Sequence, residues 1–266
     1  MRNILLASLA ASLALTACVK RDTTDTDSAD SIVDDSDTTE AEGNVMMATV
    51  DGADASGIAA LDTPSVSARI VSNVGVRWMP AGCATATSDG NGNVKIDLND
   101  CTGPRGLVHV TGEIDLAVSV SVSGGISVHA TASGLDVNAA TLDLDATADY
   151  AVVGGQHTLT VQSTASGTGP RGTSIDHQGD YTVSWDPTNA CRSITGDWST
   201  DFAGPNRSAE RSNAVDLTRC DAGCPTGSIT HHGLLGLVIN ITFDGTNVAQ
   251  WSTSNGLSGT VNLRCQ

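Results

Sequence analysis

The feature that most constrains the fold is a run of two-residue alternation, in which Ile114, Leu116, Val118, Val120 and Val122 interleave with Asp115, Ala117, Ser119 and Ser121. A period of two places alternate side chains on opposite faces of a strand, whereas a helix would scatter them around its circumference. The alternation resumes at Ile126, Val128, Ala130 and Ala132, which pairs Val122 with Ile126 across Ser123-Gly124-Gly125 and sets His129 opposite Ser119. A Gly154-Gly155 turn then matches Tyr150 to Leu159 and Ala148 to Val161. Further strands carry Tyr181, Val183 and Trp185, then Ile239, Ile241 and Phe243, then Val261 and Leu263. The fold class expected is all-β: an antiparallel sheet of consecutive hairpins, arranged as a sandwich, an open sheet or a soluble barrel-like body. Aromatic residues make up 3% of the chain, too few for the two girdles of a membrane barrel.

The N-terminus has a different grammar. Arg2 precedes the apolar run 4–15, which is too short to span a bilayer as a helix and ends in Leu15-Thr16-Ala17-Cys18. This tetrad resembles the lipobox of bacterial lipoproteins, and the resemblance covers only the N-terminus. It implies that residues 1–17 are a signal peptide and that Cys18 is acylated (palmitate), so that the membrane partner is reached through lipid. One acyl chain holds a protein only marginally, whereas two or more anchor it stably. Val19, where enteric lipoproteins retained in the inner membrane carry Asp, favours the outer membrane. The wider chain looks like the envelope lipoproteins that join an acidic tether to a β domain.

Residues 18–44 form the expected tether. Nine acids lie between Asp22 and Glu42 with no base among them, a composition that cannot bury enough apolar surface to fold alone. The reading is an extended, self-repelling spacer, with loose divalent-cation binding or a surface-export signal as rivals. Residues 45–61 are rich in Ala and Met and read as one short helix, weakened by Gly52 and Gly57. The β domain is assigned to residues 45–266, which still hold 21 acids against 10 bases. With a net charge of −17 the whole chain is a poor ligand for nucleic acid, which requires clustered Lys and Arg.

With Cys18 assigned to lipid, Cys83, Cys101, Cys191, Cys220, Cys224 and Cys265 remain, and an even number in an exported chain reads as disulfides. Cys83 and Cys101 are symmetric about Gly92, in a register that sets Ala86 against Leu98. Cys191 and Cys220 are symmetric about Pro205-Asn206, which places Ile194 opposite Leu217 and Gly196 opposite Val215. Cys224 and Cys265 are left, but turns at His232-Gly233 and Asn255-Gly256 put four strands between them, so their adjacency stays open. The stretch Thr102-Gly-Pro-Arg-Gly106 recurs at Thr168 to Gly172 and more loosely at Gly204-Pro205-Asn206-Arg207, and convergent turn chemistry explains it better than duplication.

Several constellations invite a chemical reading. Cys220, Cys224, His231 and His232 offer zinc ligands, but the histidines are adjacent and export favours oxidised sulfur. Asp89, Asn91, Asn93 and Asp97 supply calcium-loop oxygens, yet Val94 stands where the sharp turn needs Gly, and a tight hairpin accounts for the same residues. On the polar face of the central strands, Asp115, His129, Asp143, Asp145 and Asp149 could hold a metal or ligand, against the plainer reading of a solvated face. His109, His157 and His177 stand alone, and no Gly-x-Ser-x-Gly, His-Glu-x-x-His or Ser-x-x-Lys motif occurs. The expectation is therefore a lipid-anchored envelope protein acting as a non-enzymatic structural or binding module, without a cofactor and with an unidentified protein or glycan partner. Its alternatives are an adhesin or a calcium-, glycan- or peptide-binding module on the polar face, and an envelope-polymer hydrolase.

Overall fold

A computed structural model of the chain describes residues 22–51, 62–103, 106, 108–120, 125–169, 172–189, 191–202, 210–220, 223–232, 237–263 and 265. The lipobox tetrad and parts of the three Gly-Pro turns lie outside the described residues. Two helices, α1 (Asp22–Asp51) and α2 (Thr63–Arg77), precede thirteen strands. The first six are β1 (Ala84–Ser88), β2 (Asn93–Thr102), β3 (His109–Val120), β4 (Ile126–Val137), β5 (Ala140–Val153) and β6 (Gln156–Thr168). Then come β7 (Ser174–Trp185), β8 (Cys191–Phe202), β9 (Glu210–Cys220), β10 (Thr226–His232), β11 (Val238–Asp244), β12 (Val248–Thr253) and β13 (Ser258–Asn262).

Every strand pairs antiparallel with its sequence neighbour, giving one sheet in the order β1 to β13 and an all-β fold of consecutive hairpins. The alternating pattern explains its two faces: Ile114, Leu116 and Val118 are buried while Glu113, Asp115 and Ala117 face water. Tyr150 faces Leu159 and Ala148 faces Val161 around Gly154-Gly155, as the pattern requires. Other registers differ from expectation. Val120, not Val122, faces Ile126, so His129 lies opposite Ala117 rather than Ser119. Ala84, not Ala86, faces Leu98, and Gly196 faces Ala214 rather than Val215. The first two are shifts by two residues, which leave every side chain on its proper face, so periodicity does not distinguish them. The third comes from a bulge beside Gly196, which stands at φ 151° with its absent Cβ position 2.5 Å from the Asp180 carbonyl oxygen.

Three disulfides staple the sheet: Cys83–Cys101, Cys191–Cys220 and Cys224–Cys265. Their loops of 18, 29 and 41 residues correspond to roughly 3 to 4 kcal/mol each in the chain-entropy treatment. Cys224 precedes β10 and Cys265 follows β13. In a flat sheet three strand spacings would separate them by about 14 Å, yet their Cα atoms are 5.0 Å apart. The last four strands are therefore strongly curled.

The curl has a filling. The expected tether is instead the 30-residue helix α1, every residue of which from Thr38 to Val50 is buried. It touches β4, β5, β7, β8 and β13, so the sheet wraps around it. No helix among the described residues is long and apolar enough to cross a membrane. The short helix expected at 45–61 is the end of α1, which runs to Asp51, while 52–61 lie outside the described residues. The second helix starts where Asp62 accepts the Ser65 N–H at 2.9 Å and Pro64 occupies the first turn. Its buried stripe of Val66, Ile70 and Val74 packs on β1 and covers the start of the sheet.

Candidate functional site

The interior of the wrapped sheet is not uniformly apolar. Inward positions of β2 to β4 carry Val94, Ile96, Ile114, Leu116, Ile126 and Val128, whereas those of β6 to β10 include Ser163, His177, Arg192, Thr200, Ser212 and His231, all buried. On α1, Asp35, Thr39 and Glu42 recur at helical spacing and form a polar stripe facing that band. His177 Nδ1 lies 3.3 Å from Asp35 and 2.8 Å from Thr200, while its Nε2 lies 3.3 Å from Thr39 and 3.8 Å from Glu42. Thr200 and Ser212 both donate to Asp35, Ser212 also meets His231 Nδ1 at 3.0 Å, and Ser163 donates to Glu42 at 2.7 Å. Glu40 accepts from Arg192 at 2.7 Å and from Arg219 at 3.1 Å.

These groups titrate as their surroundings dictate. Burial raises the Glu42 carboxyl, and the charge of His177 and the Ser163 hydroxyl only partly offset it. Burial opposes the charge of His177, but the Glu42 and Asp35 carboxylates prevail and its pKa rises. Burial also opposes ionisation of Glu40, and the guanidiniums of Arg192 and Arg219 outweigh it and hold the carboxyl below its ordinary value. Chemically this is a clasp: carboxylates on a helix matched to cations and hydroxyls on the sheet. The side chains of Asp35, Glu42 and His177 are 2% exposed or less, so that part of it is closed to solvent.

Beside the clasp lies a cavity of about 500 Å³. Its floor is a second stripe of α1, including Val33, Asp37, Glu40 and Asn44. One lip is formed by the start of β3 and the β4–β5 turn at His109 and Asn138, and the other by Arg219, Phe243 and Leu263 from the closing strands. The cavity thus occupies the seam where the early and late parts of the sheet approach each other. Asn44 is 1% exposed, and its Oδ1 has no hydrogen-bond partner among the described residues.

The residues singled out by sequence fall elsewhere. Asp89 accepts the N–H groups of Asn91 at 2.7 Å and Asn93 at 3.2 Å, and the Asn93 amide at 2.7 Å, which closes the β1–β2 hairpin. These bonds, that of Asn91 first, lower its pKa. Asp97 is not brought to that loop; it faces Thr85 and Glu113 within the sheet. Cys220 and Cys224 are joined to different cysteines, His231 is buried, and His232 is exposed, so the four residues drawn as a zinc site do not meet. On the outer face His129 and Asp145 meet at 2.8 Å, but Asp115 pairs in register with Lys95 and Thr131. Asp143 accepts from Ser133 at 2.9 Å and the Gly134 N–H at 2.7 Å and so holds a bulge in β4, and Asp149 accepts from Ser127. Among the described residues no group of three or more His, Cys, Asp or Glu is placed to hold a metal ion.

Sequence reasoning missed Asp35, Glu40, Glu42 and Asn44 on α1, and His177, Arg192, Arg219 and His231 on the sheet. A signal existed for His177 and Arg192. Each shares its face with the apolar residues of its strand, His177 with Ile175 and Val183 and Arg192 with Ile194, and an ionisable group in such a position needs a buried partner. No protein-family model matches the chain, and neither the curated proteins nor the solved structures include one significantly similar to it.

Proposed function

We propose that the chain is a lipid-anchored protein of the bacterial cell envelope, held at the outer membrane through Cys18 and acting there as a non-enzymatic binding module. The observation that carries this reading is the disposition of the cysteines. Of seven in the sequence, six form the three disulfides, and the one left over is Cys18, the last residue of the lipobox-like tetrad. Disulfides persist in oxidising compartments outside the cytoplasm, which agrees with an export leader. The sealing of the His177 cluster behind α1 supports a structural role for its ionisable groups rather than a catalytic one.

An anchor at Cys18 also fits the path of the chain. Cys18 stands four positions before Asp22, the start of α1, a reach of at most about 14 Å when fully extended. The helix would then tie the wrapped sheet closely to the membrane surface. The test is fractionation of the wild type and Cys18→Ala. Wild type is expected in the membrane fraction with an acylated N-terminal cysteine, and Cys18→Ala in the soluble periplasmic fraction. An unchanged membrane partition of Cys18→Ala sinks the anchor, and turnover of a hydrolase substrate by the purified wild type sinks the non-enzymatic assignment.

A further inference from the structure

We propose that Asn91 is a self-modification site: within the folded chain its side chain closes on the Gly92 nitrogen and converts to aspartate and isoaspartate, which loosens the β1–β2 hairpin from β3. The inference goes beyond the binding-module reading and is independent of the lipid. The sequence holds two Asn-Gly pairs, Asn91-Gly92 in the β1–β2 turn and Asn255-Gly256 in the β12–β13 turn. In both, the glycine leaves the attacking nitrogen without the shield of a Cβ. The fold tells them apart. Gly92 is required where it stands, because its φ is 112° and a Cβ there would lie 2.7 Å from the Val118 carbonyl oxygen and 2.8 Å from Thr63 Cγ2. Its N–H meets no acceptor among the described residues, whereas its carbonyl accepts from the Val118 N–H at 2.9 Å. Asn91 is exposed, and the hydrogen bond from its Nδ2 to the Asp89 carbonyl is long at 3.4 Å. At the second pair the Gly256 N–H is donated to the Thr253 carbonyl at 3.0 Å, and the Asn255 side chain is tied by the Thr253 hydroxyl. Nitrogen and side chain are both held there.

The step needs only water. The Gly92 nitrogen bonds to the Asn91 Cγ as its proton passes to solvent, the Cγ–Nδ2 bond breaks, and ammonia leaves with a proton taken from water, giving a cyclic succinimide. Water then opens the ring at either carbonyl, its hydroxyl going to the carbonyl carbon and its proton to the nitrogen, and leaves aspartate or isoaspartate at position 91. Either product sets a new carboxylate beside Asp89, which already accepts the N–H groups of Asn91 and Asn93, and like charges so placed repel. Isoaspartate also lengthens the backbone before Gly92 and so draws its carbonyl off the Val118 N–H.

The test incubates the full processed protein at mildly alkaline pH, native and in urea. It follows the amide-to-carboxylate mass gain at each site in proteolytic peptides, together with enzymatic methylation of isoaspartyl carboxyls. In the native protein position 91 is expected to convert severalfold faster than position 255, and in urea, where both pairs are free, the two should convert at similar rates. Asn91→Gln, whose longer side chain closes such a ring far more slowly, should lose the gain in its peptide. The isoaspartyl form should exchange the Val118 amide faster than fresh protein does. The site is overturned if position 255 converts as fast as position 91 in the native protein, if neither converts, if the preference for position 91 persists unchanged in urea, or if Asn91→Gln keeps the gain. Unaltered exchange at Val118 overturns the loosening.

Discussion

At the scale of the residue, the clasp between α1 and the sheet is held by charges that have left water. Arg192 and Glu40 are 0% and 5% exposed as side chains and 2.7 Å apart. Pairs of this kind add little over apolar packing, yet breaking one strands its partner. Glu40→Leu should therefore cost about 3–5 kcal/mol in urea unfolding, and the double variant Glu40→Leu/Arg192→Met should recover most of that loss. The same cluster sets a pH dependence. His177 has a folded pKa above its ordinary 6.5, so its stabilising charge is fully present below pH 6.5 and is lost as pH climbs through the raised value. Glu42, raised above 4.5 chiefly by burial, acts in the same direction, because its ionisation is harder in the folded chain. Glu40 acts oppositely: held below 4.5 by two guanidiniums despite its burial, it contributes above that pH and loses its contribution as pH falls through the lowered value. Thermal midpoints are expected to decline from pH 6.5 upward, and His177→Gln should flatten that limb while leaving the acid limb set by Glu40. An unaltered alkaline limb in His177→Gln would refute the assignment. None of these partners was legible locally, since Glu40 and Arg192 stand 152 positions apart.

At the scale of the element, strands and helices differed in how far their sequence determined them. Each strand announced itself, because its buried face is written in every second residue and each hairpin closes locally, as at Gly154-Gly155. Register is legible only to within an even number of residues: positions two apart share a face, so the alternation suits Val122 as well as Val120, and the structure pairs Val120 with Ile126. Helix α1 is not legible in its own segment, because its acids forbid folding of the isolated stretch and only the sheet makes the helix stable. Its seating is close. A Cβ at Gly43 would lie 3.1 Å from Val183 Cγ2 and 3.3 Å from Tyr181 Cε2. Gly43→Ala gains about 1 kcal/mol of helix propensity and asks for only a small adjustment of those side chains. Gly43→Leu has no such room and is expected to cost roughly 1–3 kcal/mol by overpacking. Proteolysis should show the difference as cleavage within α1 for the Leu variant and protection for wild type and Ala, and equal protection of all three would contradict the close packing against β7.

At the scale of the whole molecule, helix and sheet depend on each other: the sheet curls around α1, and α1 is helical because the sheet encloses it. Amide exchange of residues 38–50 is accordingly expected to match that of the central strands β5 to β8 in one cooperative opening, and fast exchange confined to α1 would show a helix that comes and goes independently. The period of two determined by itself that this chain makes antiparallel strands with one wet and one dry face, since side-chain direction along a strand is a local matter. The count and spacing of cysteines pointed to disulfides, and the outer polar face followed from the same alternation. Only the tertiary structure decided that the sheet wraps, that Cys224 meets Cys265, and that an acidic segment is the filling rather than a tether. The physical reason is that the cost of burying a carboxylate depends on what waits inside, and Arg192, Arg219 and His177 gather around α1 only once strands distant in sequence have closed about it.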